Sequence, residues 1–191
     1  MGAVDQLTRL AHAARLGDGA ALEAFVSASY DQVWRFCAAL AGPATADDLT
    51  QETYARCVPS LRRFRGDASA LTWLLSIARH VCAGELRVRG RTRMNTAADR
   101  AEDPDWLAVP DAAGEVAVAD LLARLDPDRR SAFVLTQVLG LPYAEAATVC
   151  GCPVGTIRSR IARAREDLIA MISAGEAASP GRRQAGSSLS S

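Results

Sequence analysis

Apolar residues recur along most of this chain at three- and four-residue intervals, broken by short Gly, Pro and Asp clusters, and that period predicts helices. Val4 to Leu16 is apolar at 4, 7, 10, 11 and 14, and Gly17-Asp18-Gly19 ends the run. Asp18 can cap the next helix, whose inner face carries Leu22, Phe25, Val26, Tyr30, Val33, Phe36 and Leu40. Gly42-Pro43 closes it. A third helix opens at Thr45 with Asp48 three residues on, a capping-box-like start. Leu49, Tyr54 or Thr53, Cys57 and Leu61 can face inward, and Pro59 would kink or shorten the helix. The turn Phe64-Arg65-Gly66-Asp67-Ala68 follows. Ser69 then caps a fourth helix with Leu71, Leu74, Leu75, Ile77, Ala78, Val81 and Leu86 on one side. Trp73, Arg79, His80, Arg87 and Arg89 are candidates for the other side.

The period is lost over 95–113, rich in Pro, Asp and Ala, which reads as a flexible acidic linker. It returns near Gly114 with Val116, Val118, Leu121, Leu122 and Leu125. Asp126-Pro127 caps a further helix carrying Ala132, Phe133, Leu135, Val138 and Leu139, which stops at Gly140. Leu141 to Arg165 then reads as two short helices around the turn Gly151-Cys152-Pro153. On the second of these, Ile157, Ile161, Ala164, Leu168 and Met171 form an apolar face. The opposite face offers Gly155, Ser159, Ala162 and Arg163, flanked by Arg158, Arg160 and Arg165. Small residues allow close approach and arginine can make paired hydrogen bonds to guanine, so this face suits a DNA major groove. After Ala174, Gly, Ser, Pro and Arg with few apolar residues predict a disordered tail.

Composition changes this picture in two ways. The formal charge is zero, yet the charges are segregated. Arg56 to Arg93 holds nine arginines against Asp67 and Glu85, a net +7, while Met94 to Asp128 carries a net −7. A basic surface beside an acidic linker follows. The 191 residues contain no apolar run long enough for a membrane span and no signal-peptide layout at the N-terminus, so membrane insertion is not expected. The five cysteines (37, 57, 82, 150 and 152) are odd in number, which disfavours a disulfide framework. Cys150 and Cys152 lack further ligands nearby, so no metal site is expected and both read as apolar filler. His12, beside an apolar face, reads as packing. The carboxylates at 47, 48 and 52 have no nucleophile beside them, and no cofactor or catalytic residue is expected.

Three stretches taken together carry a family resemblance: ADDLTQETYARC at 46–57, FRGDASALTWLLSIARH at 64–80, and LDPDRRSAFVLTQVLGLPYAEAATVCGCPVGTIRSRIARARE at 125–166. In this order they resemble the extracytoplasmic-function sigma factors of the bacterial RNA polymerase sigma-70 family, and the last block resembles the sigma-C group. The resemblance implies an all-α fold of two small helical domains joined by the flexible acidic linker. It implies a region 2 domain over 1–93, a linker over 94–113, a region 4 helix-turn-helix domain over 114–173 and a tail over 174–191. The implied function is a cytoplasmic, non-enzymatic subunit that binds core RNA polymerase and promoter DNA and directs transcription initiation. An anti-sigma factor, frequent in this family, is a further candidate partner.

The resemblance also assigns residues. Asp48, Leu49, Gln51, Glu52 and Tyr54 would contact the polymerase clamp. Phe64, Arg65, Gly66, Asp67, Ala68, Trp73, Arg79, His80 and Arg87 would meet the −10 element, the first five bordering a pocket for a base turned out of the stack. His80 stands where the family often has Asn. Thr156, Arg158, Ser159, Arg160 and Arg163 would meet the −35 element. Two other readings compete: a free-standing helix-turn-helix regulator, which leaves 46–57 and 64–80 unexplained, and a thiol or zinc sensor.

Overall fold

The computed structural model describes residues 2–96 and 113–177, with side chains over 6–89 and 118–174. The expected linker over 97–112 and the end of the expected tail lie outside the described residues. Those described form helices and turns only. The helices are α1 (Gly2–Arg15), α2 (Gly19–Ala41), α3 (Ala46–Ser60) and α4 (Ala70–Thr96), then α5 (Ala113–Arg124), α6 (Pro127–Phe133), α7 (Tyr143–Cys150) and α8 (Val154–Ala177).

Local chemistry sets most boundaries. The Asp18 carboxylate accepts the Ala21 N–H at 3.0 Å and starts α2. Ser69 Oγ accepts the Thr72 N–H at 3.2 Å at the head of α4, and Asp126 Oδ1 accepts from the N–H groups of Asp128 and Arg129 at the head of α6. Pro59 sits in the last turn of α3, which loosens into a 3-10 turn at Leu61–Arg63. Gly151, at φ 63°, ends α7 in the left-handed conformation.

Three expectations are corrected. Thr45 does not cap α3, because its hydroxyl donates back to the carbonyls of Ala41 and Gly42. The helix after Asp126 does not run to Leu139 as one α-helix: Val134–Val138 is a π-helical turn, with the Leu139 N–H on the Val134 carbonyl at 3.0 Å. At the C-terminus, α8 continues through 174–177, where a tail was expected.

Helices α1 to α4 pack as one bundle, with Phe25, Phe36, Leu74 and Leu75 fully buried. Helices α6, α7 and α8 form a second unit around Leu135, Val149 and Ile157. A fully buried Leu, Ile or Phe stabilises its unit by roughly 1.5–3 kcal/mol. The units also pack on each other: α7 lies against α4, and α5 and α6 lie against α2, so one apolar cluster runs through both. Arg130 of α6 is buried at this seam, where it donates to the carbonyls of Leu40, Ala123 and Leu125. Burial lowers its pKa, with Asp126 opposing.

Candidate nucleic-acid interface

The exposed side of α3 follows from its period. Leu49, Thr53 and Cys57 point into the bundle, which leaves Asp47, Asp48, Gln51 and Glu52 outside near the positive helix end. Glu52 accepts from Arg56 Nε at 2.6 Å, and Asp47 accepts from Trp34 Nε1 at 2.9 Å. The five residues expected to touch polymerase therefore divide. Asp48, Gln51 and Glu52 form a surface, whereas Leu49 and Tyr54 are 7% and 9% exposed. The Tyr54 hydroxyl shares a hydrogen bond with Ser29 Oγ at 2.8 Å, and burial pushes its pKa up to about 12. Beside this face runs a groove of about 630 Å³ between α3 and α4, lined by Leu49, Glu52, Arg56, Val81, Glu85 and Val88. Sequence reasoning left out Arg56, Glu85 and Val88, because they join the surface only once α4 packs on α3.

The loop from Phe64 to Ser69 separates into a floor and a rim. Phe64 is 3% exposed, held between the rings of His12 (centroids 5.2 Å apart) and Trp73 (5.1 Å). Its ring is thus the floor of the expected −10 pocket and does not stand free for a base to stack on. Arg65, Gly66 and Asp67 are exposed, and Ala68 and Trp73 are half-buried. Gly66, at φ 80°, takes a conformation that favours glycine. Along α4, Trp73, His80 and Arg87 recur every seven residues, close to one line down the helix. His80 and Arg87 are exposed; His80 Nδ1 lies 2.6 Å from the Ser76 carbonyl. Arg79 differs, because its guanidinium donates to Asp128 Oδ1 of α6 at 2.9 Å.

On α8, Ile157, Ile161 and Ala164 are buried against α6 and α7, and this fixes which face is free. Arg158, Ser159, Ala162, Arg163 and Arg165 are exposed on the other side. Thr156 is half-buried. Arg160 is also half-buried, because Asp128 of α6 draws its guanidinium inward, with Cys152 Sγ 3.5 Å away. Arg165 Nη2 donates to Gln137 Oε1 at 2.8 Å. Arg158 and Arg163 make no ion pair among the described residues.

The seam between the units covers part of the expected −10 face. Glu145 of α7 accepts from Ser69 Oγ at 3.0 Å and from Thr72 Oγ1, at the head of α4. Asp128 is shared by Arg79 of α4 and Arg160 of α8. Ser69 was legible as a helix cap, but its part in the seam and the parts of Thr72, Asp128 and Glu145 carried no signal in the sequence, since they depend on contacts across more than 30 residues.

Two of the buried thiols are held protonated. Burial pushes the Cys57 thiol up to about 12 and the Cys150 thiol up to about 11, so both are protonated at neutral pH. Among the described residues no His, Cys, Asp and Glu cluster could hold a metal ion, and no helix is long and apolar enough to cross a membrane.

Comparison with known proteins gives this geometry a context. The family model described as Sigma-70 region 2 matches residues 25–92, and that described as Sigma-70, region 4 matches residues 115–168. The chain is 49% identical over 172 residues to the ECF RNA polymerase sigma factor SigC of Mycobacterium tuberculosis, covering 87% of this chain and 91% of that protein. It is 33% identical over 135 residues to the ECF RNA polymerase sigma-E factor of Escherichia coli, covering 63% and 70%. Among solved structures, CnrH in complex with the cytosolic domain of CnrY aligns at a TM-score of 0.70 and 26% identity, covering 88% of this chain and 98% of that one. The sigma factor RpoE in complex with the anti-sigma factor NepR from Bartonella quintana aligns at 0.65 and 26% identity, covering 80% and 96%.

Proposed function

The chain belongs to the extracytoplasmic-function sigma factors of the sigma-70 family, RNA polymerase subunits that direct promoter-specific initiation without enzymatic activity of their own, and from that premise we propose how its residues divide the work. Residues 1–93 act as the region 2 domain and 114–173 as the region 4 domain. Asp48, Gln51 and Glu52 dock on a basic surface of core polymerase, with Leu49 and Tyr54 holding α3 in place from inside. Arg65, Gly66, Asp67 and Ala68 form the rim of a −10 base pocket floored by Phe64 and Trp73. His80 and Arg87 continue the track along α4, and Arg79 joins it once freed from Asp128. Arg158, Ser159 and Arg163 read the −35 element, with Thr156 and Arg160 at the edge of that face.

The observation that carries this division is the two-sidedness of α8. Ile157, Ile161 and Ala164 are buried, while unpaired Arg158 and Arg163 stand exposed beside small residues. Surface helices in general bury one face; here the free face belongs to the stretch, residues 115–168, that matches Sigma-70, region 4, and this supports a DNA-reading role for it. The likeness to a sigma factor solved with an anti-sigma factor supports an anti-sigma factor as a further partner. The cytoplasm, where core polymerase works on the chromosome, is the proposed location.

The test is reconstitution. With core polymerase, the protein is expected to initiate run-off transcripts only from templates carrying matched −10 and −35 elements. Asp48→Arg with Glu52→Arg is expected to abolish retention on immobilised core enzyme while native helicity is kept, since like charges across an interface cost several kcal/mol. Full retention of that variant would move the docking surface elsewhere.

A further inference from the structure

One face of α1 meets the 64–70 loop at three points. At the start of the loop, Arg15 Nη1 donates to the Phe64 carbonyl at 3.1 Å. At its middle, the His12 ring packs on Phe64 and closes over Gly66, where an added Cβ would come within 2.9 Å of His12 Nε2. At its end, Thr8 Oγ1 accepts the Ala70 N–H at 3.1 Å, a first-turn donor that α4 cannot satisfy itself. Residues 8, 12 and 15 lie at i, i+4 and i+7, so they share one side of the helix.

These contacts are separate from what anchors α1. Leu7 and Ala11, 6% and 0% exposed, already seat the helix in the core, with Leu10 and Ala14 packed beside them. The polar trio is therefore not needed for docking, and it converges on a single loop. Other supports hold the ends of that loop, with the Phe64 N–H on Leu61, the Trp73 ring on Phe64 and Ser69 bonded to Thr72 and Glu145; the middle, Arg65, Gly66 and Asp67, is exposed, and the contact at Gly66 comes from α1.

We propose that Thr8, His12 and Arg15 are positioning residues for −10 recognition, setting the shape of the 64–70 loop and hence which unpaired base it accepts. The proposal rests on the assignment of this loop to the −10 strand. The three side chains act through Phe64, Gly66 and Ala70 and need not touch DNA. A pocket that reads base edges depends on groups held within a fraction of an ångström, so a loosened loop loses discrimination before it loses fold.

The experiment uses the full chain assembled with core polymerase, assayed by run-off transcription on templates carrying single-base changes through the −10 element. His12→Ala and Arg15→Ala are expected to keep wild-type affinity for core enzyme. They should lower output from the best −10 sequence about tenfold and compress the spread between bases. Arg15→Lys, which keeps a cationic donor, should recover most of the spread. Thr8→Val preserves shape while removing the acceptor, and gives the same reading should the alanine variants melt too low to assay. Asp67→Ala reports on the loop itself. If Asp67→Ala changes the base profile and the α1 variants leave it unchanged, or reduce all templates equally, the role of α1 is overturned and the loop assignment stands. If Asp67→Ala also leaves the profile unchanged, the loop assignment falls and the proposal with it.

Discussion

A side chain at Gly66 would meet two obstacles, a φ of 80° and the His12 ring 2.9 Å from its Cβ. Gly151 meets only the first, since nothing lies within 4 Å of a Cβ there. Gly66→Ala should therefore destabilise by roughly 1–3 kcal/mol and Gly151→Ala by about 1 kcal/mol, compared by urea midpoints. Equal losses would show that His12 gives way. A second residue-scale effect comes from buried acids. Burial raises Cys57 from 9.0 to about 12 and Cys150 from 9.0 to about 11. Tyr54 rises from 10.0 to about 12 for the same reason. The folded chain then holds protons that the unfolded chain releases, so stability is full below about pH 9 and falls as pH rises from there towards 12. Denaturant midpoints measured at pH 8 and pH 10.5 should show the drop, and Cys57→Ala should reduce it. A midpoint that does not move would mean the thiols reach solvent in the native state.

At the scale of the element, α8 separates specificity from charge. Arg163 lies one turn beyond Ser159 on the free face, whereas Arg165 leans toward Gln137 of the π-helical turn. In the assembled polymerase, Arg163→Ala should cost about 1–3 kcal/mol on the best −35 site and flatten preference at one or two positions. Arg165→Ala should weaken all sites alike and lower the salt slope of binding by roughly 0.9. Competition between −35 variants at several salt concentrations checks both; a uniform loss from Arg163→Ala would shift base reading to another part of the helix. The helix itself was legible because a 3.6-residue period and the Gly151-Cys152-Pro153 turn survive in any context. The caps at Asp18, Ser69 and Asp126 were legible for the same local reason. Thr45 misled because its hydroxyl had a second choice, the carbonyls ending α2. The π-helical turn was invisible because its apolar spacing matches that of an α-helix over so few residues. Leu49 and Tyr54 entered the docking set through motif position, which does not distinguish the face that touches a partner from the face that holds the helix. His12 read as packing, and it does pack; that it packs on Phe64, 52 positions further along the chain, needed the fold.

At the scale of the whole molecule, the two helical units lie in contact, and the promoter reading proposed for them requires them apart. The −10 and −35 elements are named for positions 25 base pairs apart, about 85 Å along B-DNA at 3.4 Å per pair. A chain with α7 packed on α4 cannot span that, so the seam must open for both elements to be read. Its polar contacts also cover the surfaces in question. Glu145 occupies the hydroxyls of Ser69 and Thr72 at the head of α4, and Asp128 bridges Arg79 and Arg160. The apolar part of the seam has no such selectivity, since it would suit any tight packing of α4 and α7. The Asp128 pairs are partly exposed and each contributes on the order of 0–1 kcal/mol. Glu145 sits on two hydroxyls at a positive helix end, a more favourable place for a carboxylate. Glu145→Ala should therefore shift the free protein toward the open form without affecting either unit. It should bind single-stranded −10 DNA several-fold more tightly in the absence of polymerase and show a larger radius of gyration in solution scattering. Once assembled with core enzyme, where the seam is already open, the variant and the wild type should transcribe equally. Unchanged scattering and unchanged affinity in the free protein would mean that apolar packing alone holds the units together. A loss of transcription in the assembled enzyme would instead give Glu145 a direct part in initiation.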